Sequence, residues 1–212
     1  MRCDHDVPHP SRAAERWMAE HELVAVCRAH PFVRGIASGE LQRERFVAYV
    51  EQDAWFLSAY ARADALAIAK APDLATMSSL RGLLDGALEE LDLHRSYAQR
   101  WGADLDPEPS PATSAYTDFL LRVAWSEPLS HILAAMTPCM RLYADLGQYL
   151  LPDAAPDSPY REWCETYADP GFADLARSLE QLLDQTDDGS AAIAAHYHQA
   201  MRLEHAFFDQ IS

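Results

Sequence analysis

Apolar positions recur along most of this chain every three to four residues, the rhythm of helices that bury one face. From about Gln42 to Lys70 the rhythm is carried by Phe46, Tyr49, Val50, Phe56, Leu57 and Tyr60, and Pro72 ends it. Asp73 opens a second long helix through Leu80, Leu83, Leu84, Leu88 and Leu91 to about Trp101. Ahead of these, Ser11 caps a first helix to about Arg28, and His30 to Gly39 reads as a connection punctuated by Pro31, Gly35 and Gly39. Three prolines make Asp106 to Pro111 a rigid loop. A helix from about Thr113 to Trp125 follows. The next begins with Ser126 as cap, Glu127 and Pro128 in its first turn, and stops at Pro152. Shorter helices are predicted at about 158–167 and 170–185, and a last one at about 188–210. β-branched residues are few and no alternating strand pair is present. The expected fold is all-α, with residues 1–212 as one domain.

Composition narrows the possible partners. The chain has 212 residues, 49% of them hydrophobic, which is ample for a core. Its 33 acidic and 17 basic residues give a formal charge of −16, which repels nucleic-acid phosphates and anionic membranes. Cys3, Cys27, Cys139 and Cys164 lack the CxxC spacing of zinc or iron–sulfur sites, so no metal site is expected. Met1 to Pro10 has no apolar signal-peptide core, and no apolar run approaches the ~18 residues of a membrane span. A reducing cytoplasm is the expected compartment.

Several positions break the pattern in chemically useful ways. Pro138 lies inside a helix, where it removes a hydrogen bond and costs about 3 kcal/mol. Cys139 follows it, sharing a face with Met136 and Tyr143. Asp53 sits between Tyr49 and Phe56 on the long helix, either buried with a partner or solvated at the stripe's edge. Glu204 falls inside the stripe Tyr197, Met201, Phe208, where burial raises a carboxyl pKa and suits it to acid–base work. Tyr116 and Tyr167 can turn hydroxyls inward. Glu90 and His94, one turn apart, read as a surface pair.

Taken in order, His30-Pro-Phe-Val-Arg-Gly-Ile36, Gln52-Asp53, Glu90-Leu-Asp-Leu-His94, Ser114-Ala-Tyr-Thr117, Pro138-Cys139 with Leu142-Tyr143, Trp163-Cys-Glu-Thr-Tyr167 and Glu204-His-Ala-Phe207 resemble the TenA/thiaminase II family, in its branch with a helical cysteine. The resemblance runs from about residue 12 to the C-terminus. It implies a haem-oxygenase-like bundle without haem or other cofactor, a homotetramer, and release of hydroxymethylpyrimidine from thiamin or an aminomethylpyrimidine in thiamin salvage. By motif position it makes Cys139 the nucleophile and Glu204 the acid–base. Asp53 would hold the pyrimidine's amidine edge, Tyr116 and Tyr167 would orient these groups, and Tyr143, Phe56 and Phe207 would line the pocket.

The chain departs from that family at Phe56, usually a tyrosine, and at Met140 and Arg141, commonly aromatic. Arg141 is expected to face away from Cys139, toward a subunit contact. Two further readings stand beside the hydrolase: a catalytically altered pyrimidine-binding or regulatory relative, and a di-metal oxidase on the same fold drawing on Asp53, Glu90, His94 and Glu204.

Overall fold

A computed structural model describes residues 10–104 and 106–211; the reading of Met1 to Pro10 falls almost wholly outside them, as does Cys3. Among the described residues the secondary structure is helical, with no strand: α1 (Arg12–Ala19), α2 (His21–Ala29), α3 (Pro31–Ser38), α4 (Arg43–Ala69), α5 (Leu74–Trp101), α6 (Pro111–Ser126), α7 (Leu129–Leu150), a short 3₁₀ turn at Leu151–Asp153, α8 (Arg161–Ala168), α9 (Pro170–Thr186) and α10 (Ala191–Asp209). Side chains that can accept a hydrogen bond start many of them. Ser11, Asp73, Ser110, Asp169 and Ser190 each take a backbone N–H from the first turn. No described helix is long and apolar enough to cross a membrane.

Three boundaries differ from the sequence reading. The first helix breaks at Glu20, which leaves helical geometry and turns its carboxylate to His198 Nδ1 on α10, 2.9 Å away. The stretch after His30 is a helix. Pro31 is its first residue, His30 Nδ1 caps it by accepting from the Phe32 N–H, and Gly39 closes it at φ 77°. The proline and the final glycine are start and stop signals of one short helix, not loop punctuation. Ser126 ends α6 instead of capping α7: its hydroxyl donates to the Arg122 carbonyl, and Pro128 precedes α7.

The α6–α7 corner is held by Lys70, the only lysine in the sequence. Its ammonium donates to the carbonyls of Ala124, Trp125 and Glu127 at 2.7, 3.1 and 2.6 Å. All three of its hydrogens serve backbone that the end of α6 leaves without helical partners.

Helix α7 is the axis of the bundle, packing on α4, α6, α8, α9 and α10. It runs unbroken through Pro138, and two hydroxyls donate into the turn before the proline: Tyr60 to the Met136 carbonyl at 3.2 Å and Thr137 to the Leu133 carbonyl at 2.7 Å. Near its end Gly147 lets α8 come very close. A Cβ there would lie 2.3 Å from the Tyr167 carbonyl carbon and 2.4 Å from the Ala168 nitrogen. On α4, Asp64 is buried with neither carboxylate oxygen hydrogen-bonded, and burial pushes its pKa well above the ordinary 3.8.

Candidate active site

A cavity of about 490 Å³ opens among α4, α5, α7, α8 and the start of α9. Its inner wall carries Asp53, Phe56, Tyr60, Cys139, Tyr143 and Tyr167; Gly86, Phe172 and Leu175 form an apolar flank; Glu89, Glu165 and Asp169 stand among its lining carboxylates. Of the sequence-selected residues, Asp53, Phe56, Cys139, Tyr143 and Tyr167 line this space. Glu204, Tyr116 and Phe207 do not. They form a second layer behind it, where the Phe56 ring packs on Tyr116 at 4.7 Å and on Phe207 at 5.8 Å.

Cys139 presents its thiol at the boundary of the two layers. It lies beside Glu204, which accepts the Tyr116 hydroxyl at 2.5 Å. Burial pushes the Glu204 carboxyl up to about 8, with the Asp53 charge adding, while the Tyr116 hydroxyl and the neighbouring Cys139 thiol pull the other way. The Cys139 thiol is held well above its ordinary value of 9, first by burial and then by the charges of Glu204, Glu90 and Asp53. The resting pair is a thiol beside a carboxyl that titrates close to neutrality, and its protons belong to both groups.

The other wall corrects the reading of Glu90 and His94 as a surface pair. His94 is 2% exposed, and its Nε2 lies 2.7 Å from Asp53 Oδ2. Its Nδ1 donates to the Glu90 carbonyl at 3.0 Å. Burial opposes its charge, but Asp53 and Glu90 together prevail and raise it to about 9. Glu90 Oε1 accepts the Tyr167 hydroxyl at 2.6 Å, and burial, with Asp53 next, pushes this carboxyl up to about 7. Asp53, Glu90 and His94 place one ligand atom each within 4.8 Å of one another, the geometry a metal ion needs. The His94 Nδ1 is already committed to the Glu90 carbonyl, so only Nε2, which faces Asp53 Oδ2, is left to take part in such a site. A signal for this pair was present: Leu83, Ala87, Glu90 and His94 have the same i, i+4, i+7, i+11 spacing that marks Glu204.

Tyr143 has its hydroxyl 3.3 Å from that of Tyr49, which in turn accepts the Trp163 indole N–H at 3.2 Å. This chain fixes one aromatic edge of the cavity. Arg141 does face away from Cys139, but into its own chain. It pairs with Glu180 on α9 at 3.2 Å and lies over the Trp17 ring at 4.7 Å, so no subunit contact is needed to explain it.

An all-α bundle with a cavity walled by its central helix defines the class, and comparison with known proteins gives the family. A domain from Shewanella denitrificans with a haem-oxygenase-like fold superposes with a TM-score of 0.69 at 16% identity, covering 92% of this chain and 91% of that one, which bears on the fold alone. A TenA homologue from P. horikoshii OT3 superposes at 0.88 with 26% identity, covering 95% and 98%. An aminopyrimidine aminohydrolase of Halalkalibacterium halodurans is 38% identical over 192 residues, 85% of this chain and 86% of that protein. Another from Bacillus subtilis is 34% identical over 184 residues, 84% and 73%. The TENA/THI-4/PQQC family model matches residues 18–211, and the chain belongs to that family.

Proposed function

We propose that the chain is a hydrolase of thiamin salvage that cleaves the C–N bond at the methylene of an aminopyrimidine, an aminomethylpyrimidine or thiamin, to give hydroxymethylpyrimidine. The observation that carries the reading is a thiol at the wall of an aromatic cavity, beside a buried carboxyl raised to about 8. Relatives named aminopyrimidine aminohydrolase support the reaction class.

In this reading Asp53, held by His94, accepts the N–H groups of the pyrimidine's amidine edge. Phe56 and Tyr143 flank the flat ring. Cys139 Sγ adds to the ring carbon beside the one bearing the methylene, and its proton passes to Glu204. The methylene C–N bond breaks: the amine of an aminomethylpyrimidine departs with the electron pair and that proton, whereas the thiazolium of thiamin departs with the electron pair as neutral thiazole and Glu204 gives its proton to solvent. Water then adds to the freed methylene and gives a proton to Glu204. The C–S bond breaks, the ring is restored, and Glu204 returns the proton to sulfur. Tyr116 holds Glu204 in place for each transfer. A homotetramer in a reducing cytoplasm belongs to the same proposal, and light scattering measures the first.

The test is incubation with aminomethyl-aminopyrimidine and, separately, with thiamin, following hydroxymethylpyrimidine by chromatography. Release that disappears in Cys139→Ala is expected. Release undiminished in that variant would remove the nucleophile, and binding of both compounds without release would favour the binding-protein reading.

A further inference from the structure

Two tyrosine–glutamate pairs face Cys139, and the proposed cycle uses one. Tyr116–Glu204 lies behind the thiol. Tyr167–Glu90 lies in the cavity itself: both residues line it, joined by the 2.6 Å hydrogen bond from the phenol to Glu90 Oε1. The charged and titratable groups around Glu90 come from several helices: Asp53, Tyr49 and Tyr60 from α4, His94 from its own α5, Tyr167 from α8 and Cys139 from α7.

Adding a thiol to an electron-poor ring forms a C–S bond and converts a ring C=N to C–N, leaving an electron pair on that nitrogen. The nitrogen must be protonated or the adduct reverts. In the cycle above the thiol's proton has gone to Glu204 and is committed to the departing amine or, for thiamin, to solvent. Asp53 is tied to His94 and accepts from the opposite edge of the ring. Of the other phenols in the cavity wall, Tyr60 donates to the Met136 carbonyl and Tyr143 is paired with the Tyr49 hydroxyl, whereas Tyr167 is hydrogen-bonded to a carboxyl, Glu90, that can replace a proton it gives up.

We infer that Glu90, acting through Tyr167, supplies the proton that neutralises the ring nitrogen when Cys139 adds. Tyr167 gives its hydroxyl proton to the nitrogen and receives the Glu90 carboxyl proton along the same short contact. When the C–S bond breaks and the ring C=N is restored, the proton returns from nitrogen to Tyr167 and from Tyr167 to Glu90, so the pair is regenerated. A carboxyl titrating at about 7 is protonated in roughly half the molecules near neutrality, which suits a group that must both lend and recover a proton. The inference rests on the proposed hydrolysis and deepens it by assigning a second proton donor.

Glu90→Gln keeps the size of the side chain and an acceptor for Tyr167, but has no proton to transfer. kcat is expected to fall about 100-fold at pH 6, with KM changed by less than about threefold. The ratio of wild-type to Glu90→Gln kcat should be constant in acid and decline as pH rises through about 7, because only the wild-type group has a proton to lose. A residue that merely props up the wall gives a ratio flat in pH. Tyr167→Phe should show the same loss, and the double variant should be no worse than either single one. A flat ratio, or additive losses, would overturn the role of Glu90 while leaving the hydrolysis standing. Failure of the wild-type protein itself to release product would remove the underlying reaction.

Discussion

Gly147→Ala sets two effects of known size against each other. Gly147 is inside α7, and replacing a helix-interior glycine by alanine ordinarily stabilises by about 1 kcal/mol. Here the new methyl would sit 2.3 Å from the Tyr167 carbonyl carbon, 2.4 Å from the Ala168 nitrogen and 2.7 Å from the Tyr167 oxygen. Ordinary carbon contacts need about 3.5 Å or more, so α8 must withdraw by roughly 1 Å, and backbone cannot rotate aside as a side chain can. Overpacking of this kind costs about 1–3 kcal/mol, and a backbone clash belongs at the upper end. The net expectation is destabilisation by about 2 kcal/mol. The same withdrawal would stretch the 2.6 Å bond from Tyr167 to Glu90 beyond hydrogen-bonding range. Urea unfolding followed by far-UV circular dichroism measures the first effect. Gly82→Ala is the control: a Cβ at this α5 position meets nothing within 4 Å, so that variant should gain about 0.5–1 kcal/mol. If both variants shift the midpoint upward alike, the close approach of α7 and α8 does not limit the packing.

Cys139→Ser should retain the fold and lose turnover, measured by product release, since the hydroxyl is a far weaker nucleophile beside the same carboxyl. Asp53→Asn should raise KM and lower the unfolding temperature, because it leaves the buried His94 without its charge partner, a change worth about 3–5 kcal/mol in comparable sites. Stability should decline as pH rises from about 5 to 9. Asp64 and Glu204 both have folded values raised above their ordinary 3.8 and 4.5, so their contribution is complete below those values and is lost as pH climbs through the raised ones. Glu90 and His94, raised to about 7 and about 9, add to the same decline, and Asp64→Asn removes one contributor. Its urea midpoints should therefore fall less steeply over that range, and parallel curves for variant and wild type would refute the buried acid's part.

Much of the bundle was legible because its boundaries are written in single residues. Asp73 caps where the rhythm starts, and α5 and α9 end within a residue or two of the expected place. What escaped was decided by partners distant in sequence. Nothing local announces that Glu20 will turn to His198, or that Ser126 will bond backward to Arg122 instead of forward into α7. Glu204 was found because its apolar neighbours are large. Glu90 and His94 occupy an equivalent stripe on α5, but with Ala87 and a flank of exposed acids the face reads as solvated, and only the pairing with Asp53 and Tyr167 reveals it as buried. The layering behind Cys139 was likewise out of reach, since spacing tells which residues share a face and not how deep each one lies.

The capture of Lys70 gives the molecule an unusual chemical signature. All other basic side chains are guanidinium or imidazole, so within the sequence shown amine-directed reagents meet only one side-chain ammonium, and its three hydrogens are already engaged by the α6–α7 corner. An acylating label can take Lys70 only in the fraction of molecules where that corner has opened. Labelling rate therefore reads out the local opening equilibrium directly. The corner leads into the helix that carries Cys139, so the mass shift of the peptide that contains Lys70 would report how often the central helix loosens at its root, without any engineered reporter group.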